Sequence, residues 1–403
     1  MWEQIRSNQI RTVVLVVAMG ALLLTVGYFI GLYFFGSGVV GLVVALIMWA
    51  VLNLIGYFQG DSILLTLSKA KKISRDDHPR LFNIVEEMKI ASGLEKMPAI
   101  YIIDDPALNA FATGRDPANA SVAITTGLLD KLNRDELQGV IAHEISHIKN
   151  RDVLLMALTA ILLGSIVMLA WYATRMLFFS SMTGGRRSSG GGGQGQLIMM
   201  VIGLVLVILA PILAQFIYFA ISRKREYLAD ASAALYTRYP NGLASALEKL
   251  GASSGQLKTA NKATAPMYII NPFRKKGMAA SNLSATHPPL KERIRILRSM
   301  AGGASFAQYD QAYRQVHKTQ TGMISATTIA AAGAMGLRGA ETKEAAVKEP
   351  NHIERARETS DMMYRLNKYK TITCACGTKL KVPPRFKDDT IRCPHCGRIH
   401  RVR

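Results

Sequence analysis

The sequence predicts an α+β membrane protein, mainly helical, with four transmembrane helices, a small β-sheet and a small cysteine-bearing module at the C-terminus. Three observations carry this reading. Long charge-free apolar runs alternate with basic polar stretches, in a chain that is 49% apolar yet carries a formal net charge of +21. Short β-branched segments bounded by turn residues stand between amphipathic helical patterns. All four cysteines fall within the last thirty residues.

No charged side chain occurs from Thr12 to Gly60. A helix needs about 20 apolar residues to cross the hydrocarbon core. The stretch therefore holds two spans, about 12–35 and 38–59, broken at Gly36-Ser37-Gly38. Two further charge-free runs, Val153–Thr174 and Leu197–Ser222, place a second hairpin with spans about 153–175 and 197–222. The first run exceeds a signal-peptide core of about 7–15 residues, and another span follows at once, so it reads as an anchor.

Basic residues flank spans on the cytoplasmic side. Arg6 and Arg11 precede the first span, Lys69, Lys71, Lys72 and Arg75 follow the second, and Arg223, Lys224 and Arg225 follow the fourth. The expectation is a multi-pass protein of the plasma (inner) membrane with both termini and the soluble part cytoplasmic. Arg175, Arg186 and Arg187 in the loop between spans three and four run against that rule.

The chain divides into an N-terminal hairpin (1–66), a main domain interrupted by the second hairpin (67–302), a linker (303–363) and the cysteine module (364–403). In the main domain, His78–Ser92 has helical periodicity, while Ala99–Ile103, Asn109–Gly114 and Ser121–Thr125 read as strands. Asn133 and Glu136 suit the start of a helix, Asn133 as N-cap. Lys224–Tyr236, Leu243–Leu250 and Pro289–Met300 read as helices. Thr319–Glu349 is rich in small residues and poor in aromatics, hence the linker.

The helix begun at Asn133 contains His143-Glu144-Ile145-Ser146-His147, an H-E-x-x-H motif. Four residues at about 100° each return the second imidazole to the face of the first, so both can reach one zinc ion. Glu144 then stands where a carboxylate can take a proton from water acidified by the metal, whose pKa zinc brings to about 7. Asp135, Glu136 and Lys149 make this helix too polar for the middle of a bilayer, which sets it apart from proteases with the motif inside a span.

A catalytic zinc needs a third protein ligand and an open position. Glu226 fits, because His147 precedes span three, Glu226 follows span four, and two crossings return the chain to one membrane face. Asp230 shares a helical face with Glu226 and could accept the free ring N–H of a ligand histidine, fixing its orientation.

Together, Asn109-Ala110-Phe111-Ala112-Thr113-Gly114, the His143–His147 motif with Asn150-Arg151-Asp152, Glu226 with Asp230, and Thr286-His287-Pro288-Pro289 with Arg293 resemble the HtpX family of membrane-bound zinc peptidases, related to the CAAX prenyl endopeptidases. The resemblance covers about Met1 to Met300. It implies a gluzincin-like catalytic domain that cleaves membrane or misfolded proteins in quality control. It also implies that Asn109–Gly114 is an edge strand pairing with substrate, that His287 helps hold the developing oxyanion, and that Arg293 fixes His287 or binds substrate. Two rival readings are a CAAX-type prenyl-protein endopeptidase and a membrane-tethered regulator with an inactive peptidase fold. The intact Glu144 speaks against the second.

Cys374-Ala375-Cys376-Gly377 and Cys393-Pro394-His395-Cys396-Gly397 have the spacing of metal knuckles, and four thiolates could close a second, structural zinc site. The module resembles a zinc ribbon, although its first pair is C-x-C. Its partner is not legible in the sequence. Only Tyr364, Tyr369 and Phe386 are aromatic here, too few for base stacking, so nucleic acid is not the expected partner.

Overall fold

The computed structural model describes residues 2–158, 223–253, 288–300, 303–333, 336–338 and 349–402, with isolated positions between 161 and 175, between 208 and 212, and at 255, 257 and 268–270. Helices α1 (Trp2–Phe35) and α2 (Gly38–Leu67) form an antiparallel hairpin turned at Gly36, which takes φ +68°. A Cβ added to Gly31 would lie 2.5 Å from Gly41 Cα. Small residues allow this approach where lipid offers no hydrophobic drive between helices. Val13, Val17, Val43, Ile47 and Phe58 stay more than half exposed on the outer faces of the hairpin.

Among the described residues, α2 is the one helix long and apolar enough to cross a membrane, with a mean hydropathy of 2.5 over its most apolar window. The apolar part of α1 is Val16–Leu32. The expected spans at 153–175 and 197–222 lie largely outside the described residues, as does the glycine-rich loop between them. Helical residues 152–158 begin the third expected span. There Ala157 and Leu158 pack on Gly60 and Gly56 of α2.

Four strands form one sheet in the order β1-β2-β4-β3: β1 (Lys71–Lys72), β2 (Ala99–Ile103), β3 (Ala110–Gly114) and β4 (Ala120–Thr125). β2 and β4 are parallel, and both outer pairs are antiparallel. β1 was not legible in the sequence, because a Lys-Lys pair has no strand signature; it forms by pairing with Tyr101 and Ile102. Successive strand side chains point to opposite faces. Ile100, Ile102, Ala110, Ala112, Val122 and Ile124 enter the main helical core. Phe111 and Ala123 instead meet Leu64 and Leu65 of α2, Met156 and Tyr268. The sheet is thus clamped between the main helical core and the end of the α1–α2 hairpin.

The main core is built by α3 (Pro79–Ser92), α4 (Thr126–Lys131), α5 (Arg134–Lys149), α6 (helical residues 223–237), α7 (Pro240–Ala252) and α8 (Leu290–Arg298). Proline opens α3 and α7 at positions where a missing N–H costs nothing. The anticipated linker at 303–363 is corrected here. It carries α9 (Phe306–His317), α10 (Ala326–Ala332) and the larger part of α11 (His352–Leu366), and Phe306, Tyr309, Ile324 and Met362 join the main core. Its alanine-rich composition hid a few well-spaced anchors. Two hairpins, β5–β6 (Lys370–Thr373, Lys379–Val382) and β7–β8 (Thr390–Arg392, Ile399–Arg401), end the chain.

α5 and α7 cross closely because Gly139 has no side chain: a Cβ there would sit 2.6 Å from the Leu243 backbone nitrogen. A methyl at Gly60 would meet only ordinary contacts, at 3.5 and 3.6 Å. Gly139→Ala should therefore destabilise the folded protein by about 1–3 kcal/mol, while Gly60→Ala stays near wild type. Thermal unfolding of both variants in detergent checks this, and equal behaviour would refute the close-crossing account.

Candidate active site

α5 is fixed at its start before it presents any chemistry. Asn133 accepts from the Glu136 amide at 2.9 Å, and Glu136 Oε2 accepts from the Asn133 amide at 2.9 Å. This reciprocal capping box satisfies two otherwise open donors, as the sequence indicated. From Glu136 to Ile148 every residue of the helix is buried.

One helical turn separates His143 from His147, and their Nε2 atoms lie 3.3 Å apart. α6 brings in Glu226, whose Oε2 is 3.6 Å from His143 Nε2 and whose Oε1 is 3.5 Å from His147 Nε2. All three side chains are buried, and one donor atom from each falls within 4.8 Å of the others.

The rings are held from behind. His143 Nδ1 is 3.0 Å from Asp230 Oδ1, and His147 Nδ1 is 3.0 Å from Asp152 Oδ2. With each Nδ1–H given to a carboxylate, each Nε2 keeps its lone pair for a metal. Asp230 therefore stands where the helical spacing placed it. Asp152 was part of the sequence resemblance without a role. Its position depends on Arg151, which takes φ +60° and folds the chain back on the end of α5. A left-handed non-glycine residue leaves no reliable mark in sequence.

Arg293 turns toward the carboxylates of α6. It is fully buried, and its Nε and Nη2 each donate to Asp230 at 2.7 Å. Nη1 donates to the Ile269 carbonyl at 3.2 Å and lies 3.6 Å from Glu226 Oε2. A guanidinium so engaged supports Asp230 and Glu226. Asn109 is likewise occupied: its Nδ2 donates to the Ile270 carbonyl at 3.2 Å and its Oδ1 accepts from Ala110 N. Ile269 N donates to the Ala110 carbonyl at 3.0 Å, which covers the start of β3. His287 lies outside the described residues.

Burial alone would favour neutral groups here, and each departure has a cause. Burial opposes the charge on His143, but hydrogen bonds to Asp230 and Glu226 outweigh it and raise its pKa to about 9. Burial would raise Asp230, yet the charge and hydrogen bonds of Arg293 hold it below the usual carboxylate range. Glu144 is raised, chiefly by burial. Among the described residues no hydrogen bond of good geometry reaches its buried oxygens, which lean only weakly on the backbone of Ala112. A buried carboxylate so weakly held is costly unless its chemistry requires it. Beside two histidine Nε2 atoms and a second carboxylate, this arrangement fits a hydrolytic zinc site with a base poised at its edge.

The C-terminal hairpins bring the cysteines together. Cys374 and Cys396 Sγ lie 3.4 Å apart, Cys376 and Cys393 Sγ 3.7 Å, and all four within 4.8 Å. Gly377 and Gly397 take φ +85° and +75°, which turns each knuckle back on its first cysteine.

Two outcomes follow from the ring supports. Asp152→Asn should weaken zinc retention about 10–100-fold, read by metal analysis after chelator dialysis; full retention would remove Asp152 from the site. Because a metal must displace the proton held on His143, zinc affinity should rise with pH until about 9. Competition titrations across pH check the slope, and a flat profile would contradict it.

A family described as Peptidase family M48 matches residues 76–301. The chain is 46% identical over 299 residues to "Protease HtpX homolog" of Dictyoglomus turgidum, covering 74% of this chain and 94% of that one. It is 45% identical to the protein of the same name from Caldanaerobacter subterraneus (74% and 98%), and 44% identical to that of Streptococcus pneumoniae (74% and 100%). Among solved structures, Ste24p of S. mikatae is similar at 23% identity and TM-score 0.41, over 74% of this chain and 67% of that one. With a family match over most of the soluble core and relatives aligned nearly end to end, the chain belongs to peptidase family M48 as an HtpX-type membrane metallopeptidase.

Proposed function

We propose that the protein cleaves membrane or misfolded proteins in quality control, with zinc held by His143, His147 and Glu226 and with Glu144 as general base. The observation that carries this is the convergence of two Nε2 atoms and a carboxylate beside the buried Glu144. Bound zinc would supply Lewis acidity, polarising the scissile carbonyl and making water acidic near neutral pH. Glu144 takes the proton of the attacking water on a carboxylate oxygen and delivers it to the departing amide nitrogen. Its raised pKa suits both transfers. Asp230 and Asp152 keep the imidazoles aimed, and Arg293 balances the carboxylates.

The substrate backbone pairs with the Ala112–Gly114 part of β3, an edge strand among the described residues. Asn109 and Arg293 act by positioning this region. The basic flanks at Lys69–Arg75 and Arg223–Arg225 support a multi-pass topology with active site and termini in the cytoplasm. The CAAX-type and inactive-regulator readings lack such support, the latter because the base is in place. Cys374, Cys376, Cys393 and Cys396 hold a second, structural zinc.

Glu144→Gln should retain zinc and lose proteolysis by a factor of at least about 10². Glu226→Ala should lose the catalytic metal. Metal analysis with a membrane-protein cleavage assay reads both, and a fully active Glu144→Gln protein would sink the mechanism. Changing Cys393 and Cys396 to Ser should release one zinc per chain and leave the catalytic one bound. Unchanged zinc content would exclude the structural site.

A further inference from the structure

Residues after 301 lie beyond the part matched by the family, and they end in a basic ribbon whose place is set by one helix. The approach to α11 starts beside the N-terminus of α5, where Glu349 Oε1 accepts from the Arg134 amide at 2.9 Å. Arg80 pairs with the same oxygen at 3.3 Å. Further on, Arg355 Nε donates to the Asp130 carbonyl at 3.2 Å. At the other end Arg365 donates to the Asp77 carbonyl at 2.7 Å, and Asn367 accepts from Lys71 Nζ. Lys71 closely follows the last residue of α2, Leu67, so this end of α11 lies within roughly 14 Å of chain from the apolar helix. The helix is a strut about 22 Å long. It carries the chain to where α2 emerges, and β5 begins there at Lys370.

From Tyr364 to Arg403 eleven Lys and Arg stand against Asp388 and Asp389, a net charge of +9. Four thiolates on one divalent ion would subtract only two. Lys370, Lys379, Arg385, Lys387, Arg392 and Arg398 are exposed, and so are Lys69, Lys71 and Lys72 at the exit of α2. The aromatic groups are already engaged: Tyr364 meets Tyr369 edge-on at 5.0 Å, and Lys381 lies 5.2 Å from the Tyr364 ring centre. A surface with many cations and few free ring faces suits diffuse negative charge better than stacked bases.

We propose that the C-terminal ribbon is a membrane-surface module whose cations rest on the anionic lipid headgroups of the leaflet from which α2 emerges. The interfacial layer is several ångströms deep, and screening at physiological salt extends to about 8 Å. A module of net charge +9 tethered at the exit of α2 stands on the side where that field would attract it. Its docking is separate from peptide hydrolysis, and it rests on the α1–α2 hairpin being embedded.

The test uses the full-length, zinc-loaded protein in nanodiscs of phosphatidylcholine alone or with phosphatidylglycerol at ~30%. Co-purification with the discs reads embedding by itself, and hydrogen exchange of peptides across 379–401 reads docking. The expected result is slower exchange in the phosphatidylglycerol discs, reversed when ~1 M salt shortens the screening length to about 3 Å. Arg385→Ala with Lys387→Ala should weaken docking about 30-fold, while zinc content and proteolysis stay at wild type. Equal exchange in the two kinds of disc would overturn the proposal. So would protection by added RNA or an acidic peptide with none from phosphatidylglycerol.

Discussion

A single buried carboxylate, Asp230, joins three helices at one point. From α6 it meets His143 of α5 and both available nitrogens of Arg293 from α8. None of these groups would be cheap to bury alone, since an unpaired interior charge costs several kcal/mol. Paired, they orient an imidazole, fix a guanidinium beside Glu226 and hold α6 in register with the motif helix. The arrangement of the site is therefore a consequence of how charge is balanced in the core, and Glu144, without an arginine of its own, is held less firmly than Asp230.

The sheet extends this constraint toward the membrane. Its two faces serve different neighbours: one meets the soluble helices, the other meets the end of α2 and the start of the helical stretch after Asp152. The edge strand β3 and the backbone of Ala112 beside Glu144 are thus referenced to the end of the α1–α2 hairpin as well as to α5.

Much of this was legible in the sequence because the signals were local. The capping residues of α5, the helical spacing of His143 and His147, and the β-branched, turn-bounded runs of β2 and β4 all depend on neighbours a few residues away. Glu226 and Asp230 could be linked to the motif only by counting membrane crossings and by family resemblance. What stayed hidden depended on distant partners or unusual backbone: β1 exists by pairing, Asp152 reaches His147 through a left-handed residue, and Arg293 looks like a surface charge until the fold buries it. The supposed linker misled for a different reason. A segment with few aromatics can still anchor itself when Phe306, Tyr309 and Met362 fall at the right places.

The contact between Glu349 and the first amide of the motif helix ties a segment outside the family match to the helix that carries the motif. A carboxylate there also complements the positive end of the helix. A chain cut at the family boundary would hence lose more than a tail: the catalytic helix would begin with an amide facing water. The appendage is a structural tenant that the enzyme has come to lean on.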